Sequence, residues 1–181
     1  MNWNRRDFLR AGLTATALLA LPGWARAALP SRRDVKTLSF HHLHTGESLR
    51  EIPFWERGAL LPDALAEINH LLRDFRTGDV AEMDAGLLHI LAELQEQAGS
   101  RRPFHIISAY RSPKTNAMLH AKSSGVAKGS LHTRAMALDI RLPGTPLATL
   151  REIALSLQTG GVGYYPKSDF VHVDTGRVRW W

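Results

Sequence analysis

Not one of the 181 residues is a cysteine. Such a chain has no disulfide, thiolate metal site, iron–sulfur cluster or cysteine nucleophile to organise it. Its stability must come from an apolar core, and any metal must be held by histidine and carboxylate. A hydrophobic content of 44% against 22% charged residues supplies one such core, of a size suited to a single domain.

Residues 1–27 read differently from the rest. Asn4-Arg5-Arg6-Asp7-Phe8-Leu9-Arg10 precedes an apolar run from Ala11 to Leu21, then Pro22-Gly23-Trp24 and the small-residue site Ala25-Arg26-Ala27. That order is a charged region, a short apolar region and a cleavage site. The run is about half the ~20 apolar residues of a spanning helix, so it reads as a cleavable signal, with no stable membrane insertion afterwards. Paired arginines followed by Phe8-Leu9 resemble the twin-arginine signal, an address for exporting folded proteins to the bacterial periplasm.

The formal charge of +6 and a pI of about 10.2 first suggest a nucleic-acid binder. Removing residues 1–27 takes away four arginines and one aspartate and leaves +3. No basic block or aromatic-interleaved basic stripe remains, so nucleic acid is excluded as the expected partner.

After an exposed lead-in at 28–36, residues 37–43 and 47–52 flank His44-Thr45-Gly46 and predict a β-hairpin. Pro62-Asp63 opens a helix to Phe75, with Leu65, Ile68, Leu71 and Leu72 on one stripe; a second runs from Met83 to Ala98 and ends at Gly99. A short strand at 104–108, a helix from Ser112-Pro113 to Leu119, and a loop of small residues at 122–130 come next. A strand at 135–141, a helix from Pro146 to Leu157, and strands at 162–165 and 170–174 complete the chain. Helices first and strands later, without regular alternation, indicate an α+β domain over 37–181.

Most of the nine histidines have no partner in the pattern. His41, His42 and His44 are dense, but strand alternation splits them between two faces and no carboxylate comes after them until Glu47. His70 and His89 fall within helices, and His105 and His120 stand alone. His132 differs, because Asp139 follows it from loop into strand, and Phe170-Val171-His172-Val173-Asp174 offers a second imidazole on another apolar strand. Two histidines and an aspartate suit zinc and leave a fourth position for water, although spacing alone does not separate such a set from structural histidines. Gly160, Gly161 and Gly163 lack the following helix and lysine of a phosphate cradle and read as a tight strand entry. Trp180-Trp181 with Arg177 and Arg179 would either stack on glycan rings or pack as a chain end.

Ser108-Ala109-Tyr110-Arg111-Ser112-Pro113, Ser130-x-His132-x6-Asp139, Gly160-Gly161-Val162-Gly163-Tyr164-Tyr165-Pro166 and Phe170-Val171-His172-Val173-Asp174-Thr175-Gly176 follow one another in the order seen in zinc peptidases of bacterial cell walls. Over essentially the whole mature chain the sequence resembles the M15-like group, which contains D-Ala-D-Ala carboxypeptidases and exported murein endopeptidases, and is most similar to the latter. The resemblance implies a hedgehog/D-Ala-D-Ala peptidase-like single domain with an antiparallel sheet and packed helices. It implies zinc on His132, Asp139 and His172, Arg111 reaching the substrate carbonyl or carboxylate, and Ser130 and Tyr110 as substrate contacts. It further implies a periplasmic monomer that hydrolyses peptide cross-links between peptidoglycan stems through zinc-activated water. A carboxypeptidase trimming terminal D-Ala and a noncatalytic wall-binding module are the alternatives.

The catalytic base has two candidates. Relatives with a Glu-x-Trp-His segment carry it three residues before the last ligand, where this chain has the shorter Asp169; those with a His-x-His pair have a histidine where this chain has Phe170. Asp174, two residues after His172, shares its strand face and is the favoured choice, with an alternative role in orienting the imidazole. On the signal itself, N-terminal sequencing of the exported protein is expected to read Ala28 first; a cytosolic protein that keeps Met1 would contradict the reading.

Overall fold

The computed structural model describes residues 35–122 and 125–181. The signal at 1–27, residues 28–34 of the lead-in, and Ser123 and Ser124 of the small-residue loop lie outside the described residues. The chain divides into two units, 1–30 and 31–181, and every described residue belongs to the second.

β1 (Val35–His42) and β2 (Ser48–Glu56) form the expected antiparallel hairpin, two residues earlier at its start, and Gly46 at φ +74° supplies the left-handed backbone that its turn requires. A two-residue strand β3 (Ala59–Leu60) pairs with β2, and helices α1 (Pro62–Leu71) and α2 (Ala85–Gln97) come after it. Proline at the start of α1 costs no hydrogen bond, because the first turn has no partner for that N–H. Asp84 caps α2 by accepting from Gly86 N at 2.8 Å. Then come β4 (Phe104–Ser108), α3 (Pro113–Lys122), a 3-10 turn at Leu131–Arg134, β5 (Ala137–Arg141), α4 (Leu147–Leu157), β6 (Gly161–Tyr165), β7 (Phe170–Asp174) and β8 (Arg179–Trp180).

All the strands belong to one mixed sheet in the order β3-β2-β1-β4-β5-β7-β6-β8. Its pairs are antiparallel except β1 with β4 and β6 with β8, which run parallel. With the helices packed on it, this is an α+β domain. Strand alternation gives the sheet two unlike faces. Leu38, Phe40, Phe104, Ile106, Leu138, Ile140, Val171 and Val173 are buried in the core, which α2 enters with Leu87, Leu88, Leu91 and Leu94. Each such fully buried side chain stabilises by about 1.5–3 kcal/mol. The alternate residues of β5 and β7, among them Asp139, His172 and Asp174, occupy the opposite face.

α1 stops at Leu71 rather than continuing to Phe75. Asp74 is the cause: its carboxylate accepts from Arg76 N, its carbonyl from Thr77 N and Gly78 N, and its own N–H donates to Asp79 O, so a local turn takes the groups that a helix would use. β5 starts at Ala137 rather than 135, because the 3-10 turn ends on Ala135 in the left-handed conformation, φ +55°. α3 runs to Lys122, three residues beyond the expected end.

The Asp74 carboxylate also accepts from Ser112 N at 2.9 Å and Ser112 Oγ at 2.7 Å, which ties the end of α1 to the residue after Arg111. Burial alone would raise its pKa, but hydrogen bonds from Thr115, Ser112 and the Arg76 backbone outweigh that and hold it at about 2, below the ordinary 3.8. A depressed carboxylate pKa stabilises the fold above the unfolded value, and that stability is lost as pH falls through the folded value. The wild-type protein is therefore expected to lose about 2 kcal/mol between pH 4 and pH 2 that Asp74→Asn does not lose, as read from urea unfolding midpoints. Parallel pH profiles would contradict this role.

Candidate active site

The register of the sheet builds the site. Asp139 on β5 stands opposite His172 on β7, and His172 stands opposite Gly163 on β6. Two residues along, Ala137, Asp174 and Gly161 form the next row on the same face, and Arg179 of β8 pairs with Gly161. In the other direction Tyr165 pairs with Phe170, their rings stacked with centroids 4.5 Å apart. His132 arrives from the 3-10 turn, whose start is capped by Ser130 Oγ and whose His132 O accepts from Arg111 N at 3.1 Å.

His132 Nε2, His172 Nδ1 and Asp139 Oδ1 form a triangle with edges of 3.3, 3.3 and 2.8 Å. Its longer edges match the roughly 3.3–3.6 Å that separates tetrahedral ligands held at about 2.0–2.2 Å from one zinc ion. The outer nitrogen of each ring is committed elsewhere. His132 Nδ1 lies 2.7 Å from the Ala109 carbonyl and His172 Nε2 3.0 Å from Asp174 Oδ2. Both oxygens can only accept, so these nitrogens carry protons, and the inner nitrogen of each ring, which holds a lone pair when the ring is neutral, points into the triangle beside Asp139. Three crowded acceptor atoms of nitrogen and oxygen fit a divalent ion of zinc's ligand preference.

The electrostatics agree. Burial lowers the pKa of His132 and keeps it neutral. Burial opposes ionisation of Asp139 too, but His132 and His172 hold its carboxyl well below the usual carboxylate range. Burial works against a charge on His172, yet hydrogen bonds to Asp139 and Asp174 raise its pKa: the two carboxylates favour a cation at Nδ1, a place that a proton or a metal ion can take, but not both.

Asp174 is fully buried and accepts five hydrogen bonds, from His172 Nε2, Gly161 N, Gly176 N and both terminal nitrogens of Arg179. The glycines make room for this. A Cβ on Gly161 would overlap Asp174 and Arg179, and one on Gly163 would come within 2.8 Å of the Trp181 ring. The Gly160–Gly163 segment is thus open for side chains leaning in from β7 and β8, beyond the tight strand entry that its sequence suggests.

The triad lines a cleft of about 210 Å³, together with residues of the Gly125–Leu131 loop and with Tyr165, Phe170, Arg179 and Trp181. Arg111 and Ser130 line it as well; Arg111 donates to Ser108 Oγ through Nε and to Asp139 Oδ2 through Nη2. Burial lowers the Arg111 pKa and Asp139 partly offsets this. Tyr110 does not line the cleft. It packs against the core, with its N–H bonded to Leu72 O. Neither candidate base lines it: Asp174 lies behind the His172 ring, and Asp169 is an exposed residue at φ +54° paired with Arg141. Asp139 is the one carboxylate among the described residues of the cleft wall. Sequence pattern leaves Tyr165 and Phe170 unassigned as wall residues and Arg179 and Trp181 undecided. Alternation from His172 across the β6–β7 hairpin is the signal that could have found Tyr165 and Phe170.

Fold and site together are those of an M15-like peptidase. The model of the family described as peptidoglycan L,D-endopeptidase MepK matches residues 30–181, and the chain belongs to that family. It is 44% identical over 178 residues to the peptidoglycan L,D-endopeptidase MepK of Escherichia coli K12, covering 98% of this chain and 97% of the relative. The MepK of Shigella flexneri matches equally, and the probable peptidoglycan L,D-endopeptidase MepK of Haemophilus influenzae is 40% identical over 179 residues, covering 98% and 95%.

If Asp174 fixes the tautomer of His172, Asp174→Asn should weaken zinc binding by about 10–100-fold in competition with a chromophoric chelator. Unchanged affinity in a folded variant would rule that role out.

Proposed function

We propose that the chain is a zinc-dependent endopeptidase of the periplasm that cuts peptide cross-links of peptidoglycan, at an L,D bond as in the names of its relatives. The observation that carries the reading is the buried His132–Asp139–His172 donor set lining a cleft, in a chain that aligns over 98% of its length with such a relative. The Arg5-Arg6 signal supports the location.

His132, Asp139 and His172 are the proposed ligands. Zinc bound there supplies Lewis acidity toward a carbonyl and lowers the pKa of water toward ~7. Arg111 keeps Asp139 in place through one arm and offers its remaining N–H groups to the substrate carbonyl oxygen. Asp174, bracketed by Arg179, orients His172 rather than taking a proton in the cleft. Ser130 lines the wall where a peptide stem would lie. A mature charge of +3 and a cleft with two arginines suit an anionic stem.

Purified mature protein is expected to convert muropeptide dimers linked between two diaminopimelate residues into monomers. EDTA should abolish the activity and zinc restore it, and His132→Ala or His172→Ala should remove both metal and turnover. Release of free D-Ala alone from pentapeptide monomers would establish the carboxypeptidase alternative. Binding to sacculi without any product would establish the noncatalytic one.

A further inference from the structure

Tyr165 has no part in the ligand set, yet it stands on the same sheet face, one row from His172, and lines the cleft with Arg111. Its position is fixed from two directions. The ring stacks on Phe170, and the phenol oxygen accepts from Trp181 Nε1 at 2.7 Å. An indole N–H can only donate, so the phenol must be the acceptor in that bond and keeps its own proton as a donor. No acceptor for that proton is present among the described residues. The indole is itself held: Trp181 O accepts from Tyr164 N, Trp181 N donates to Val162 O, and its ring lies against Gly163 with its centroid 5.3 Å from that of His172. An exposed hydroxyl on the cleft wall, held by a neighbouring donor and with its proton uncommitted to any described residue, is placed to meet an acceptor brought in from outside. Among the described cleft residues the other hydroxyl, that of Ser130, sits on the loop, and Arg111 and Arg179 are charged donors that already share N–H groups with Asp139 and Asp174, so the phenol adds a neutral donor, fixed on the sheet, beside the remaining N–H groups of Arg111.

From this we infer that Tyr165 is a catalytic residue whose phenol O–H donates a hydrogen bond to the oxygen of the scissile carbonyl, and that Trp181 is the positioning residue that aims it. The interaction strengthens as charge gathers on that oxygen, so it acts on turnover more than on binding. The assignment deepens the endopeptidase reading and rests on it.

The test uses Tyr165→Phe, which keeps the stack on Phe170, together with Trp181→Phe and the double variant, all assayed on cross-linked muropeptide dimers with zinc content measured in parallel. Tyr165→Phe is expected to lower kcat roughly 100-fold with KM within about twofold and zinc content unchanged. Trp181→Phe should lower kcat less, and should add nothing in the Tyr165→Phe background, because a group that acts only by aiming the phenol has no effect once the phenol is gone. A kcat within threefold of wild type, a rise in KM alone, loss of zinc, or additive effects in the double variant would each overturn the assignment. A wild-type protein that leaves every dimer intact would overturn the endopeptidase reading and this inference together, whereas normal wild-type turnover undiminished in Tyr165→Phe would overturn this inference only.

Discussion

A carboxylate with no solvent exposure is costly to keep ionised, and Asp174 meets that cost with two guanidinium hydrogen bonds, two backbone N–H groups and the His172 ring. Removing one partner of such a buried pair typically costs about 3–5 kcal/mol, because the other charge is stranded. The rest of the site depends on this arrangement. His172 faces Asp139 because Asp174 occupies its other nitrogen. Arg179 reaches Asp174 because Gly161 has no side chain, and Trp181 approaches His172 because Gly163 has none. β8, only two residues long, is therefore a wall of the cleft as well as a sheet edge.

The division of labour between the two sheet faces explains how so polar a cluster is tolerated. The core face carries Leu138, Ile140, Val171 and Val173 from the same strands that present Asp139, His172 and Asp174 on the other side. Apolar burial holds the strands in register, and the register alone brings Asp139 opposite His172. A slip of one residue would exchange the two sets, placing charges in the core and valines in the cleft, so the fold and the site are specified by the same alternation.

That alternation is legible in the sequence for Ala137–Arg141 and Phe170–Asp174, and with the family resemblance it points to the proposed ligand set and the α+β class. The hairpin, the principal helices and the glycine stop at residue 99 follow equally from local chemistry. Long-range effects leave no such local trace. The end of α1 depends on a turn built by Asp74 and anchored on Ser112, 38 residues away. Tyr110 reads as a cleft residue beside Arg111, but its ring belongs to the core and only its neighbour turns outward. Asp174 shares a face with His172 as alternation requires, yet sharing a face does not reveal which ring nitrogen it meets. Arg179 lies beyond a turn with no periodic pattern, and only the pairing of β8 with β6 returns it to the site.

Arg111 illustrates how closely support and chemistry are joined in this cleft. Its Nη2 holds Asp139 Oδ2, which leaves Oδ1 for the triangle with the two histidines, while its Nε is fixed on Ser108 in the same row of the sheet. Loss of the guanidinium would free Asp139 to rotate and would also remove the charge proposed to face the substrate carbonyl, so a fall in rate would not separate the two roles. Lysine keeps the charge but not the planar fork that grips Ser108 and Asp139 together. An Arg111→Lys variant with weakened metal binding would therefore report on the carboxylate, and one with full metal and low turnover on the carbonyl. Tyr165, which touches no ligand, is free of that ambiguity, and so the phenol rather than the arginine is where donation to the substrate can be measured cleanly.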